Sequence, residues 1–255
     1  MCQYTIWLII FGIIILLVIC YDCFSTSFKT KPLEYFETKP LEYFETKPLE
    51  YSETKPLEYS ETNTNLITRS NPINIIDNFI TADNCDELVQ MAKNRFVAST
   101  VYSTNSGTVD RSSRSSSCAY FKRGENELIK SIEDKVASSL KISLDQIEPL
   151  QIVKYEKGQE YKYHHDYFGS QTDQLQNQRV YSILVYLNDL DEIDGGSTHF
   201  PLYKIRTYPY KGRAVGWNNL NPDGKENSLT LHAGEPILSD KVKYVLTIWT
   251  RQSNY

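Results

Sequence analysis

Basic charge, histidine and cysteine are all scarce in this chain of 255 residues. Lys and Arg total 27 against 32 Asp and Glu, a formal net charge of -5. That balance leaves no electrostatic footprint for nucleic acid. Of the five cysteines, Cys2, Cys20 and Cys23 lie in or beside an N-terminal apolar run. Only Cys85 and Cys118 remain for the rest of the chain. They could pair in an oxidising compartment, but two cysteines provide no disulfide framework. The four histidines are His164, His165, His199 and His232. Tyrosine, with 19 residues, is abundant, though part of that excess belongs to a repeat and does not mark a binding surface.

Charge is also missing from Tyr4 to Tyr21, a run of 18 residues rich in Ile and Leu. It stands at the short end of what spans a hydrocarbon core of ~30 Å. No Lys or Arg precedes it and no Ala-x-Ala-like cleavage site follows, so residues 1–29 read as an uncleaved signal-anchor rather than a signal peptide. The nearest basic residues, Lys29 and Lys31, follow the run. They alternate with glutamates and do not fix its orientation.

Residues 30–70 hold a repeat. The octapeptide beginning at Thr30 recurs at Thr38, Thr46 and Thr54, each copy with one Lys, one Pro and two Glu. A proline in every copy forbids a continuous helix. The segment reads as an extended spacer, and its 32 residues would reach up to ~100 Å in a polyproline-like form. A sharper alternative makes these prolines substrates of the domain behind them.

Residues 71–255 carry the globular pattern. Ile73 and Ile75 suggest a strand. Asn84, with Glu87 three residues on, is a candidate helix cap. Cys85, Leu88, Val89, Ala92 and Phe96 then recur at helical spacing. A polar stretch, Ser99 to Ser117, contains Arg111 and Arg114 and reads as a surface or substrate-covering loop. A second helix is expected from about Glu125 to Leu140. From Ile152 onward the chain reads as β. Arg179 to Leu187 is apolar enough to be covered on both faces. Gly195-Gly196 is a turn, and Ala214–Trp217, Ser228–Gly234 and Tyr244–Trp249 read as further strands. Two helices followed by many short strands predict an α+β fold, a double-stranded β-helix (jelly roll) with the helices packed outside.

The chemistry concentrates in Tyr161-Lys162-Tyr163-His164-His165-Asp166. In an extended strand, alternation puts His164 and Asp166 on one face and Tyr161, Tyr163 and His165 on the other. An imidazole and a carboxylate so placed make two corners of a 2-His-1-carboxylate site for non-haem Fe(II). His232 supplies the distal corner. Most His-x-Asp tripeptides are ordinary surface polarity, so its neighbours must carry the assignment. His165 reads as a packing or hydrogen-bonding residue. His199 is turned away from the site if Thr198 faces in.

Those neighbours resemble a known family. Arg111 through Ser116 with Ala119-Tyr120-Phe121, Tyr155 with Gly158-Gln159, Gln178-Arg179 and Tyr186-Leu187-Asn188 match it in order. Gly195-Gly196-Ser197-Thr198, Trp217 with Pro222-Asp223-Gly224, and Leu231-His232-Ala233-Gly234 continue the match. The segment from about Asn71 to Arg251 resembles the prolyl 4-hydroxylase family of Fe(II)- and 2-oxoglutarate-dependent dioxygenases, including collagen-type, plant, algal and large-DNA-virus forms.

The resemblance implies Fe(II) on His164, Asp166 and His232, with 2-oxoglutarate and O₂ as co-substrates and L-ascorbate as reductant. It implies that Lys243 anchors the distal carboxylate of 2-oxoglutarate, helped by Tyr155 and Thr198. Lys241 is the competing lysine, because Lys243 requires one extra residue after Pro236. Tyr161, Arg179, Trp249 and Arg114 would line the peptide groove. For these the ordinary alternatives are aromatic packing and a surface ion pair. The implied activity is hydroxylation of peptidyl proline at C4 in collagen-like or Pro-rich chains, in the endoplasmic reticulum lumen, with 2-oxoglutarate converted to succinate and CO₂. A second reading moves the target to lysine or another proline carbon. A third makes the chain an inactive membrane-tethered module that holds Pro-rich peptides.

Overall fold

The structure is a computed structural model that describes residues 69, 71–99, 112–168 and 177–255. The apolar run, the octapeptide repeat and the greater part of the expected covering loop lie outside the described residues. Among the described residues no helix is long and apolar enough to cross a membrane. The sheets and helices that follow all belong to the unit Glu61–Tyr255.

Among the described residues two α-helices pack against one face of the large sheet. Helix α1 (Ala82–Ala92) starts at Thr81, whose side chain accepts from the Asn84 amide. The cap is thus three residues earlier than Asn84 itself; Asn84 provides the amide that is capped. Helix α2 (Glu127–Leu140) is capped by Asn126, which accepts from the Ile129 amide, and ends at Lys141 in the left-handed region. An Asn or Thr oxygen at these positions satisfies an amide that has no partner inside the helix. Each helix buries one apolar stripe, Cys85, Leu88 and Ala92 on α1 and Ile129, Ile132, Val136 and Leu140 on α2.

Among the described residues eleven strands make two antiparallel sheets. In chain order they are β1 (Ile73–Ile76), β2 (Val97–Ala98), β3 (Ser117–Tyr120), β4 (Gln151–Tyr155), β5 (Tyr161–His164), β6 (Arg179–Tyr186), β7 (Thr198–Phe200), β8 (Ile205–Thr207), β9 (Ala214–Asn218), β10 (His232–Gly234) and β11 (Lys243–Arg251). The large sheet runs β1-β9-β6-β11-β4-β3-β2 and the small one β5-β10-β7-β8. This sheet-rich α+β arrangement is a jelly roll. The segment Ser228–Gly234, expected as one strand, divides into a 3-10 turn (Ser228–Thr230) and the short β10. Strand β3 begins inside the stretch that reads as loop; its serines gave no apolar signal.

Alternation along the central strands sorts the two faces of the large sheet. On β6, Tyr181, Ile183 and Val185 join the helices in one core. Leu184 and Tyr186 face the small sheet in a second core with Phe200, Val215 and Trp217. On β11, Leu246 and Ile248 face the helices, while Lys243, Val245, Thr247 and Trp249 face a cavity between the sheets. Burial on both sides explains why these strands read as nearly continuous apolar runs.

The turn before β7 is fixed by glycine. Gly196 has φ of 71°, and a Cβ there would sit 2.5 Å from Ile237 Cδ1 and 3.4 Å from Lys243 Cδ. Left-handed backbone plus overpacking costs about 2–4 kcal/mol. Gly196→Ala should therefore lower the thermal midpoint by roughly 4–16 °C, read by circular dichroism. An unchanged midpoint would mean that this turn tolerates a side chain.

Candidate active site

A cavity lies between the sheets, and His164, Asp166, His232, Thr198, Lys243 and Trp249 are among the side chains on its wall. Three side chains on its wall, His164, Asp166 and His232, bring one ligand atom each to within 4.8 Å of one another. Strands β5 and β10 set this up directly, because His232 pairs across from His164. Asp166 stands just past the end of β5, in a bend, so strand alternation is not what aims it.

Hydrogen bonds decide what each ligand offers. His164 Nδ1 lies 2.7 Å from the Lys162 carbonyl and His232 Nδ1 lies 2.8 Å from the Thr230 carbonyl. A carbonyl can only accept, so both rings carry their proton on Nδ1. The two Nε2 lone pairs then face Asp166, at 3.7 Å from Oδ1 and 4.0 Å from Oδ2. Burial pushes the pKa of both histidines down, keeping them neutral. Burial works the other way on Asp166, yet positive charge on His232 and His164 when they are protonated, Arg179 and the Ser182 hydroxyl outweigh it and hold the carboxyl below the usual range. Two neutral imidazoles and an ionised carboxylate are a donor set that fits Fe(II).

Supporting groups orient the carboxylate. Ser182 Oγ donates to Asp166 Oδ2 at 2.6 Å, and the Trp249 indole donates to the same oxygen at 3.0 Å. Asn219 Nδ2 in turn donates to Ser182 Oγ at 2.9 Å. Reading the sequence did not single out Ser182 or Asn219. The signal was present for Ser182, since one hydroxyl in a strand buried on both faces must find a partner.

Tyr161 corrects the alternation argument. It lines the cavity on the same side as His164, with the rings stacked at 3.5 Å. A bulge is the reason: β10 advances from His232 to Gly234 while β5 retreats from His164 to Tyr161, and the extra residue shifts the facing side. Tyr163 and His165 do point elsewhere. Tyr163 meets His199 Nδ1 at 2.6 Å, and His165 Nδ1 pairs with Glu226 at 3.1 Å. His199 is outside the metal cluster, and its strand neighbour Thr198 faces the cavity.

At the opposite end of the cavity is a buried cation. Lys243 is 1% exposed and lies across from Tyr155 in the β11–β4 register. Its ammonium is 5.2 Å from the Tyr155 ring centroid and 5.5 Å from that of Tyr186. Burial pushes its pKa down to about 7, against a smaller opposing pull from Glu235. Lys241, by contrast, is half exposed and paired with Asp191 and Asp194. Thr198 Oγ1, 2.8 Å from the Tyr186 hydroxyl, shares the cavity wall with Lys243.

Arg114 is not in an exposed loop. It is 7% exposed, bridges to Tyr161, stacks over that ring at 4.9 Å and donates to Ser116 Oγ at 3.2 Å. Arg179 is set behind the cavity wall. Its guanidinium lies 3.6 Å over the Trp249 ring and makes two hydrogen bonds to Glu148, at 2.7 and 2.9 Å. The pair is buried rather than a surface ion pair, and Arg251 Nε approaches the same Glu148 at 2.6 Å.

This geometry has counterparts in known proteins. A family model for the 2OG-Fe(II) oxygenase superfamily matches residues 150–251. Probable prolyl 4-hydroxylase 8 of Arabidopsis thaliana is 30% identical over 202 residues, covering 71% of this chain and 69% of that protein. Prolyl 4-hydroxylase 5 of the same plant is 30% identical over 196 residues, covering 69% and 66%. Among solved structures, the viral collagen prolyl hydroxylase of Paramecium Bursaria Chlorella virus-1, in its 2OG complex, aligns with a TM-score of 0.58. It is 27% identical and covers 72% of this chain and 98% of its own. With a relative at this identity covering more than two thirds of both chains, and a donor set where the superfamily model matches, this chain belongs to the prolyl 4-hydroxylase family of 2OG-Fe(II) oxygenases.

Proposed function

We propose that the chain hydroxylates peptidyl proline, at C4, in collagen-like or Pro-rich polypeptides. One observation carries this reading: the His164–Asp166–His232 donor set and the Lys243 ammonium, which has no ion pair among the described residues, share a single cavity. A metal ligand set at one end and a buried cation at the other fit a dicarboxylate that reaches from iron to ammonium.

Bound at the triad, Fe(II) supplies the activation of O₂ that couples oxidative decarboxylation of 2-oxoglutarate to C–H hydroxylation. One oxygen atom enters the peptide and the other enters succinate, with CO₂ released. The residues do the remaining work. His164 and His232 hold the metal through Nε2, their Nδ1 protons locked on backbone carbonyls. Ser182 and Trp249 keep Asp166 oriented and ionised. Lys243, with the hydroxyls of Tyr155 and Thr198, takes the distal carboxylate of 2-oxoglutarate. Trp249, backed by Arg179, presents an aromatic face to the proline ring, while Tyr161, stacked on His164 and covered by Arg114, offers its edge and hydroxyl. L-Ascorbate would restore the reduced metal after turnovers not coupled to peptide.

The uncharged run from Tyr4 to Tyr21 supports a single-pass membrane tether, and the substrate class supports the endoplasmic reticulum lumen as the compartment. Residues 30–70 would then act as a spacer. These placements rest on sequence and substrate chemistry.

Full-length chain incubated with a Pro-rich or collagen-like peptide, Fe(II), 2-oxoglutarate and ascorbate should add one oxygen atom to proline, read by mass spectrometry. His232→Ala should abolish the product. Succinate without oxidised proline would move the target to lysine or another residue. Neither product in folded, iron-loaded protein would leave a peptide-binding module.

Trp249→Phe removes one hydrogen bond to Asp166. It should weaken Mn(II) affinity by about 10–100-fold, as loss of a ligand-orienting partner does, read by isothermal titration. Equal affinity would place Trp249 in the peptide groove alone.

Proton linkage tests Lys243. Its pKa of about 7 in the free cavity means it is mostly charged below that pH and mostly neutral above it. A carboxylate partner raises the pKa, so binding takes up a proton only above about pH 7. In Mn(II)-loaded protein, 2-oxoglutarate should bring in ~0.9 proton at about pH 8 and ~0.1 at about pH 6. Calorimetry in buffers of different ionisation enthalpy measures this. Uptake that is flat with pH, or that survives Lys243→Met, would remove Lys243 from this role.

A further inference from the structure

Asp166 is held at its carboxylate by Ser182 and Trp249, but those bonds do not set the path of its backbone. The residue stands past the end of β5, in a bend. Two positions upstream the chain is fixed, because His164 pairs across from His232. Two positions downstream it is fixed again, this time by a side chain. Gln178 Oε1 accepts from the Phe168 amide at 2.9 Å, and Gln178 Nε2 donates to the Phe168 carbonyl at 2.9 Å.

Both halves of the Gln178 amide are used in this clamp. A backbone N–H can only donate and a carbonyl can only accept, so the two bonds fix which way the amide faces. One side chain thus pairs the N–H and the C=O of Phe168, as a neighbouring strand would. Gln178 is 3% exposed and is itself held in place. Its N–H donates to Gln252 Oε1 at 3.1 Å, and its carbonyl accepts from the Gln252 amide at 3.0 Å. The Phe168 ring is a second hold on the same residue, with the Arg179 guanidinium 4.8 Å and the Arg251 guanidinium 4.6 Å from its centroid. Position 178 therefore calls for a donor and an acceptor on one side chain. Leu or Met would leave two buried main-chain groups unpaired, and Glu would turn an acceptor on the Phe168 carbonyl.

We infer that Gln178 is a positioning residue for the metal site, which sets the course of the chain through Asp166 by pinning Phe168 to the start of β6. Ser182 and Trp249 orient the carboxylate, whereas Gln178 places the backbone from which it projects. Asp166 lies midway between two fixed points, His164 and Phe168, so losing one of them lets the metal oxygen drift away from the two imidazoles. This rests on the reading of His164, Asp166 and His232 as metal ligands and is independent of which peptide is oxidised.

The test compares Gln178→Met, which removes both bonds, with Gln178→Glu, which keeps the acceptor for the Phe168 amide and loses the donor. Ile132→Val, in the helix-side core, is a control that lowers stability alone. Full-length protein is titrated with Mn(II) by calorimetry, well below every thermal midpoint. Gln178→Met should bind Mn(II) about 10–100-fold more weakly, as loss of an outer partner of a ligand does. Gln178→Glu should fall between it and the wild type, and Ile132→Val should keep wild-type affinity. In Co(II)-loaded protein the visible ligand-field spectrum should change in both Gln178 variants and not in Ile132→Val. Wild-type Mn(II) affinity with an unchanged Co(II) spectrum in Gln178→Met would overturn the inference, assign Gln178 to packing and leave the metal site intact. An equal loss of affinity in Ile132→Val would overturn it too. A wild type that bound neither ion would remove the metal reading, and the inference with it. If Gln178→Met did not fold, Gln178→Glu would decide by the same comparison. Failure of both to fold would place Gln178 in the folding core and overturn the inference.

Discussion

A carboxylate that is 6% exposed must be paired on every side or it will not stay charged, and the arrangement of this domain follows from how Asp166 meets that demand. Its bend leaves the small sheet after β5. Its Oδ2 then receives one donor from β6 and one from β11, the two central strands of the large sheet. The same side chain that offers oxygen to a metal thus ties the two sheets together at the cavity. Ser182 is in turn held by Asn219, so the tie extends to the end of β9. Removing a partner of a buried charge costs more than the bond itself is worth, because the charge remains behind. Stability of the sheet-to-sheet junction and readiness of the metal site are for this reason one property.

The second demand is spatial. A sheet buried on both faces has to be apolar on both, and a site cut into one face must interrupt that pattern without opening the core. Strand β11 manages this by alternation. Leu246 and Ile248 keep the helix-side core continuous, while Lys243, Thr247 and Trp249 put polar atoms on the cavity side. A buried lysine is unfavourable on its own, which is why its pKa falls to about 7. In the proposed reading a dicarboxylate would reverse that penalty, and affinity for the co-substrate and the strain of the free cavity would come from the same group.

Much of this was legible in the sequence, and what was not has identifiable causes. Strands β6 and β11 show as long apolar runs because both faces are covered. The stripes of α1 and α2 show as helical spacing because one face is covered. The metal donors stand out because histidine is so rare. Strand β3 did not show, since Ser117 sits in a serine-rich stretch whose pairing with β4 is set from afar. Tyr161 was assigned to the wrong face because a bulge is a property of two strands, and period-two reasoning sees only one. Lys241 and Lys243 have the same parity, so alternation cannot choose between them. Asp191 and Asp194 choose, by drawing Lys241 outward from about fifty residues away in the chain. Ser182 was the one omission with a visible clue.

The direction of the proposed reaction also follows from β11. Lys243 opens the strand and Trp249 stands six residues on, about 20 Å along an extended backbone. Between them, on the facing sheet, the β10–β5 pair presents His232 and His164. In the proposed reading an acid anchored at Lys243 would reach the metal from one side, and a peptide ring seated against Trp249 would approach from the other. The two substrates need not compete for the same wall. Beyond Trp249 the wall is stiffened by charge rather than by apolar packing, with Arg179 flat on the indole and Glu148 gripping both Arg179 and Arg251. Two cations against one carboxylate leave positive charge beside the peptide end. Asp166 is stabilised by it as well, so the group that shapes the entrance also keeps the metal ligand ionised.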